Sequence, residues 1–143
     1  YYLRLKKFGR KDRYSAYLHN RQGIVPQDEA ATIALRRIIS DYAHHPTAIK
    51  LTLEAVKQKY PDKESVAIFL PNTYSRTEAL LEEFAKSLEN CDKAYILDIR
   101  ANREKQEDFP GISSDLIIKK NNKYEKIAID DADKLLKHKG AVL

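Results

Sequence analysis

The chain has 143 residues, 43% hydrophobic and 33% charged, a balance that fits one domain with its own core. Its apolar runs last only a few residues, far below the roughly 20 needed to cross a membrane as a helix, and its single cysteine, Cys91, excludes an internal disulfide and a paired-cysteine metal site. The net charge of +5 would suit a nucleic acid, yet most lysines and arginines have acidic neighbours and form no dense stripe, so nucleic acid is not the expected partner.

In chain order, "LKKFGRKDRYSAY" sets Tyr14 and Tyr17 beside basic residues, and "NRQGIVPQDEAATIALRR" reads as an inserted loop or helix beginning near Pro26. "RIIS" (37–40) reads as a strand that runs into "DYAHHP" (41–46). Pro46 suits the first turn of a helix, whose apolar residues Ile49, Leu53, Val56 and Tyr60 recur at helical spacing until Pro61 ends it. "SVAIFLP" (65–71) is a strand closed by Pro71. "TEALLEEFAKSLENC" (77–91) is a helix with Leu80, Leu81, Phe84, Ala85 and Leu88 on one face and Thr77 as its cap.

"KAYILDI" (93–99) is a buried strand, "DLIIKK" (115–120) a short helix and "KIAID" (126–130) a further strand. The lysines of 119–126 read as a solvated helix end and loop. "DADKLLKHKG" (131–140) is a helix stopped by Gly140, and "AVL" (141–143) reads as the opening of another strand. Regular alternation of strand and helix predicts an α/β fold, a Rossmann-like three-layer sandwich with a mainly parallel sheet. The absence of methionine and the unfinished last strand lead us to expect a piece of a longer protein. The opening residues show no leader pattern, and one cysteine suits a reducing, cytoplasmic setting.

Ligands of open α/β sheets bind beyond the carboxyl ends of the strands. Three strand ends carry polar clusters: Asp41, Tyr42, His44 and His45; Asn72 to Thr77; and Asp98, Arg100, Asn102, Arg103 and Glu104. Together they offer an aromatic face for a flat base, carboxylates for hydroxyls or a cation, and imidazole and guanidinium for an anion. The histidine pair could equally cap the helix that follows. Zinc ligation is disfavoured, because adjacent histidines project differently and His19 and His138 are remote in sequence. No phosphate-cradling glycine loop and no nucleophile elbow occur.

Three motifs in order, D-Y-A-H-H-P at 41–46, P-x-T-Y-S-R-T at 71–77 and D-I-x-x-x-R-E at 98–104, with "PGISSDL" (110–116) after them, give residues 37–143 a pattern that resembles the C-terminal domain of the Mur ligases. The resemblance is strongest to the branch that adds L-alanine to UDP-N-acetylmuramate in peptidoglycan synthesis. The branch that attaches a murein tripeptide is the alternative, and a non-catalytic nucleotide or nucleic-acid binding module on the same fold is a further one. The resemblance implies a three-domain enzyme in which ATP phosphorylates the sugar's carboxylate, the amine attacks the acyl phosphate, and Mg²⁺ assists.

It also implies that Asp41 and Tyr42 border ATP, while His44, Arg76 and Thr73 meet the amino-acid substrate. No catalytic residue and no metal ligand is expected in this chain. ATP and Mg²⁺ would be held mainly by domains it lacks, so it would not turn over alone. Residues 1–36 fit the pattern poorly and read as linker and insertion. Ser40, Asn72 and Thr73 depart from residues common in the family, namely an aspartate, a histidine and an arginine, although threonine also occurs at the last position.

Overall fold

Short runs of β-branched and aromatic residues separated by amphipathic stretches must bury both sheet faces, and parallel pairing with helices on each side achieves this. The computed structural model describes residues 4–7, 14–17, 39–128, 130–131 and 133–138. Within residues 1–36, β1 (Arg4–Lys7) and β2 (Tyr14–Tyr17) form an antiparallel ladder with Arg4 opposite Tyr17. The expected loop or helix near Pro26 lies outside the described residues.

The helix α1 spans Pro46–Lys59. Its N-cap is His45, in extended geometry, whose Nδ1 accepts from the Thr47 N–H at 3.3 Å, and Pro46 follows where no N–H is needed. Lys57 and Lys59 face the negative end of the helix dipole. Then come β3 (Val66–Phe69), α2 (Tyr74–Ala79), α3 (Leu81–Ser87) with a 3₁₀ turn at Leu88–Asn90, and β4 (Lys93–Ile96). A second 3₁₀ turn (Gln106–Asp108), α4 (Asp115–Ile118), β5 (Tyr124–Lys126) and α5 (Asp133–Leu136) complete the order.

The strands β3, β4 and β5 lie side by side in that order, all parallel. One face of the sheet, with Phe69, Ala94 and Ile96, meets Ile49 of α1, Phe84 and Ala85 of α3, Leu88, and Ile117 of α4. The other face, with Val66 and Tyr95, meets Ile127 and Leu135 of α5. This is the expected three-layer α/β arrangement. At the amino end of the sheet the Asp92 carboxylate accepts from both the N–H and the hydroxyl of Ser65, each at 2.8 Å.

Several boundaries differ from expectation. Ile39 and Ser40 lie in no strand, and Arg37 and Ile38 fall outside the described residues. The helix expected from Thr77 starts at Tyr74, so Thr77 is no cap; it is buried inside α2 and bonds back to the Thr73 carbonyl through its N–H (3.1 Å) and hydroxyl (2.7 Å). Leu80, at φ −120°, ends α2 and begins α3, which turns Phe84, Ala85 and Leu88 onto the sheet. The strand expected at 126–130 runs Tyr124–Lys126, because Tyr124 is buried and donates its hydroxyl to the Ala85 carbonyl. Gly140 and residues 141–143 lie outside the described residues.

On the second face, the buried Tyr95 hydroxyl meets His138 Nε2 at 2.8 Å, and His138 Nδ1 meets Glu64 at 2.8 Å. This chain of contacts fastens the segment after α5 to β4 and to the entry of β3. Phe84 is 1% exposed and sits among other apolar side chains, so Phe84→Ala is expected to lower the unfolding free energy by about 3–5 kcal/mol through the cavity it leaves. Tyr95→Phe keeps the ring and should cost less, about 1–3 kcal/mol, for the lost contacts of its hydroxyl. Equilibrium urea unfolding of both variants checks the ranking, and equal losses would contradict it.

Candidate functional site

Parallel pairing brings the carboxyl ends of β3 and β4 together and carries their contact past the strands themselves. The Arg100 N–H donates to the Pro71 carbonyl at 2.9 Å, and Asn72 pairs with Arg100 as a parallel bridge. The Asn102 amide donates to the side-chain oxygen of Asn72. Asn102 adopts φ 54°, a left-handed conformation that asparagine tolerates. Tyr74 stacks on Phe109, with ring centroids 5.9 Å apart. Two of the three polar clusters expected from the sequence are therefore one structure.

Glu104 completes that joint. One carboxylate oxygen accepts from the Tyr74 N–H at 2.7 Å and the Ser75 N–H at 3.1 Å, while the other accepts from the Ser75 hydroxyl. These are the first N–H groups of α2, which has no acidic residue in its first turn and no side-chain cap from Thr73. Thr73 itself sits at φ 78°, ψ 168°, a region open essentially to glycine alone, at a cost of about 1–3 kcal/mol. Its hydroxyl lies 3.2 Å from Ser75 Oγ. Arg76, half-buried, donates from Nη1 to the Asn72 carbonyl at 3.1 Å, so its guanidinium is anchored to the strand-end turn.

The first cluster stands at the start of α1. Ala43 packs on the core and Pro46 is buried, whereas Asp41, Tyr42, His44 and His45 are exposed. The Thr52 hydroxyl of α1 donates to Asp41. His44 Nδ1 lies 3.0 Å from the Tyr42 carbonyl, an acceptor, which makes Nδ1 the protonated nitrogen and leaves the lone pair of the neutral ring on Nε2. The Tyr42 ring is 83% exposed and tilts against His44, with centroids 5.3 Å apart. These polar and ring contacts stay within the segment and its helix. His45 is the helix cap, the plainer of the two readings open from sequence.

Several remaining charged groups are engaged within the domain. Asp98, at the carboxyl end of β4, pairs with Lys126 at 2.7 Å, and Lys126 reaches Asp115 at 3.5 Å. Lys120 pairs with Glu82, and Lys123 donates to the carbonyls of Glu89 and Cys91, closing the 3₁₀ turn. The lysine-rich stretch thus acts as a helix end and loop with internal partners. Cys91 is buried, and burial pushes its thiol pKa up, away from reactivity. Among the described residues no group of three His, Cys, Asp or Glu could hold a metal ion, and no helix is long and apolar enough to cross a membrane.

Residues 29–141 match the family described as Mur ligase, glutamate ligase domain. The chain is 39% identical over 132 residues to UDP-N-acetylmuramate--L-alanine ligase of Limosilactobacillus reuteri, covering 92% of this chain and 30% of that protein. It is 47% identical over 106 residues to the protein of the same name from Lactiplantibacillus plantarum, covering 73% of this chain and 24% of that protein. The crystal structure of UDP-N-acetylmuramate-alanine ligase from Thermotoga maritima shares the fold, with a TM-score of 0.53 at 20% identity over 75% of this chain and 22% of that one. The chain spans less than a third of the length of the curated relatives it matches.

The joint has an electrostatic signature. The Ser75 hydroxyl, together with the Ser75 and Tyr74 N–H groups and the Thr73 hydroxyl, holds the Glu104 carboxyl below the ordinary glutamate value against the opposing effect of desolvation. A folded-state value below the unfolded one, about 4.3, means that this carboxylate's contribution is fully present above that pH and is lost as pH falls through the folded value. A carboxyl-carbon NMR titration should therefore find Glu104 titrating at lower pH than a glutamate in an unstructured peptide. Coincident midpoints would show that its bonds to α2 do not persist in solution.

Proposed function

This chain belongs to the Mur ligase family through its glutamate ligase domain, and on that premise we propose that it is the C-terminal, amino-acid-receiving domain of an ATP-dependent amide-bond ligase that joins L-alanine to UDP-N-acetylmuramate. The observation that carries this reading is the match, across most of the chain, to two curated ligases bearing that name. ATP would supply the phosphoryl group that activates the sugar's carboxylate. This chain's residues would then bind and orient. A reaction that consumes ATP and a UDP-sugar belongs in the cytoplasm.

Each proposed role has chemistry to support it. Tyr42 offers an open aromatic face to a purine, and Asp41 beside it offers a carboxylate to a hydroxyl. The sequence carries no phosphate-cradling glycine motif, so Mg²⁺ and the triphosphate would be held mainly by other domains of such a ligase. Arg76 would receive the amino acid's carboxylate, for which a guanidinium fork is the matching shape. His44, with its lone pair on Nε2, can accept from the incoming ammonium. Thr73 would line the same place. Positioning of this kind is what a closing domain contributes to acyl transfer.

Full-length protein is expected to release phosphate from ATP only when UDP-N-acetylmuramate and L-alanine are both present; turnover indifferent to L-alanine would reject the assignment. In the same assay Arg76→Ala should raise the KM for L-alanine by one to two orders of magnitude, the loss of about 1.5–3 kcal/mol expected for a charge-assisted contact. An unchanged KM would remove Arg76 from the site.

A further inference from the structure

We propose that Glu104 is a positioning residue for the amino-acid site: from the loop after β4, it fixes the turn after β3 that aims Arg76. The proposal rests on the function given above and adds a residue that acts through others. The geometry argues for it in three steps. The guanidinium of Arg76 is tied to the Asn72 carbonyl, so its direction follows the backbone of residues 72–76. That backbone passes through Thr73 in a conformation threonine does not adopt unaided, and α2, at six residues, is too short to hold itself. The only carboxylate bonded to its first N–H groups among the described residues is Glu104, which reaches across from a different strand end.

Two other ties, the Asn72–Asn102 amide pair and the Tyr74–Phe109 stack, connect the same segments. Loss of the Glu104 carboxylate should therefore loosen the turn without unfolding the domain. Both Glu104 oxygens are occupied by donors of α2, which favours action through the turn over direct contact with substrate. The depressed carboxyl pKa agrees with the geometry.

The test compares full-length wild type with three variants: Glu104→Gln, Ser75→Ala and the double substitution. Glu104→Gln keeps shape but not acceptor strength, and Ser75→Ala removes one of the donors to it while leaving the charge of Glu104 in place. The expected result is a KM for L-alanine raised about 10- to 100-fold in Glu104→Gln, the scale of a displaced contact group, with kcat and the KM for ATP nearly unchanged. Ser75→Ala should show a smaller rise, and the double variant should fall short of the product of the two, as coupled residues do.

An unchanged KM in Glu104→Gln would overturn the proposal. So would multiplicative effects, or a silent Ser75→Ala beside an impaired Glu104→Gln, which would mean that Glu104 meets the substrate itself. If Glu104→Gln does not fold, Ser75→Ala decides alone: a raised KM for L-alanine with kcat kept supports the proposal, and a wild-type KM ends it. A wild type without L-alanine-dependent turnover would instead overturn the ligase reading, and the proposal with it.

Discussion

The register of β3 on β4 is the constraint from which the rest of the domain follows. Val66 lies opposite Lys93 and Phe69 opposite Ile96, and the pairing continues beyond Pro71 to Asn72 and Arg100. Side chains alternate along a strand, so a slip of one residue would exchange the faces. Phe69 would then leave Phe84 and Leu88, and Val66 would leave Tyr95. The same slip would separate Asn72 from Asn102 and lift the Glu104 carboxylate away from α2. Core packing and the polar joint at the carboxyl end thus specify one register twice, by unrelated chemistry. The amino end adds a third statement through Asp92 and Ser65.

The two ends of the sheet are built for different tasks. At the amino end and on the second face, Glu64, His138 and Tyr95 make a largely buried chain that fastens secondary structure together. At the carboxyl end the polar groups are half-exposed, the backbone is strained at Thr73, and the helix that begins there is short. Strain persists only where its surroundings over-determine it. Here those surroundings come from residues about thirty positions away, which makes the turn after β3 dependent on the loop after β4.

Periodicity made much of this fold legible. The spacing of Ile49 and Leu53, and of Phe84, Ala85 and Leu88, marked faces that do pack on the sheet, and the apolar runs around Ala67 and Tyr95 marked strands that do pair. The motifs at 71–77 and 98–104 marked strand ends that do meet. What periodicity could not show was the helix start at Tyr74. A threonine ahead of a helical pattern signals a cap, but Thr77 bonds backward to Thr73, and the cap is supplied by a glutamate remote in sequence. Nor does any local propensity place threonine at positive φ. Both misses come from tertiary contacts that override local preference, and both fall at the candidate site, where such conflict is expected. His44 and His45 look alike in sequence and differ in structure because only His45 meets the first open N–H of α1.

That conflict bears on how the proposed site would recognise its substrate. Between Asn72 and Thr77 the sole cationic side chain is Arg76. The Thr73 hydroxyl is engaged with Ser75, and Asn72 spends its side-chain oxygen on Asn102. On the proposed reading, a single guanidinium fork would supply the carboxylate recognition that this segment offers. A lone bidentate contact is more sensitive to its angle than a pair of cations that can share the load, because two parallel hydrogen bonds weaken together when the fork rotates. The rigidity that Glu104 gives to the turn is then the physical counterpart of having threonine where a second arginine could stand. On this argument, strain at Thr73 and the carboxylate that holds it belong to one design, in which orientation compensates for charge.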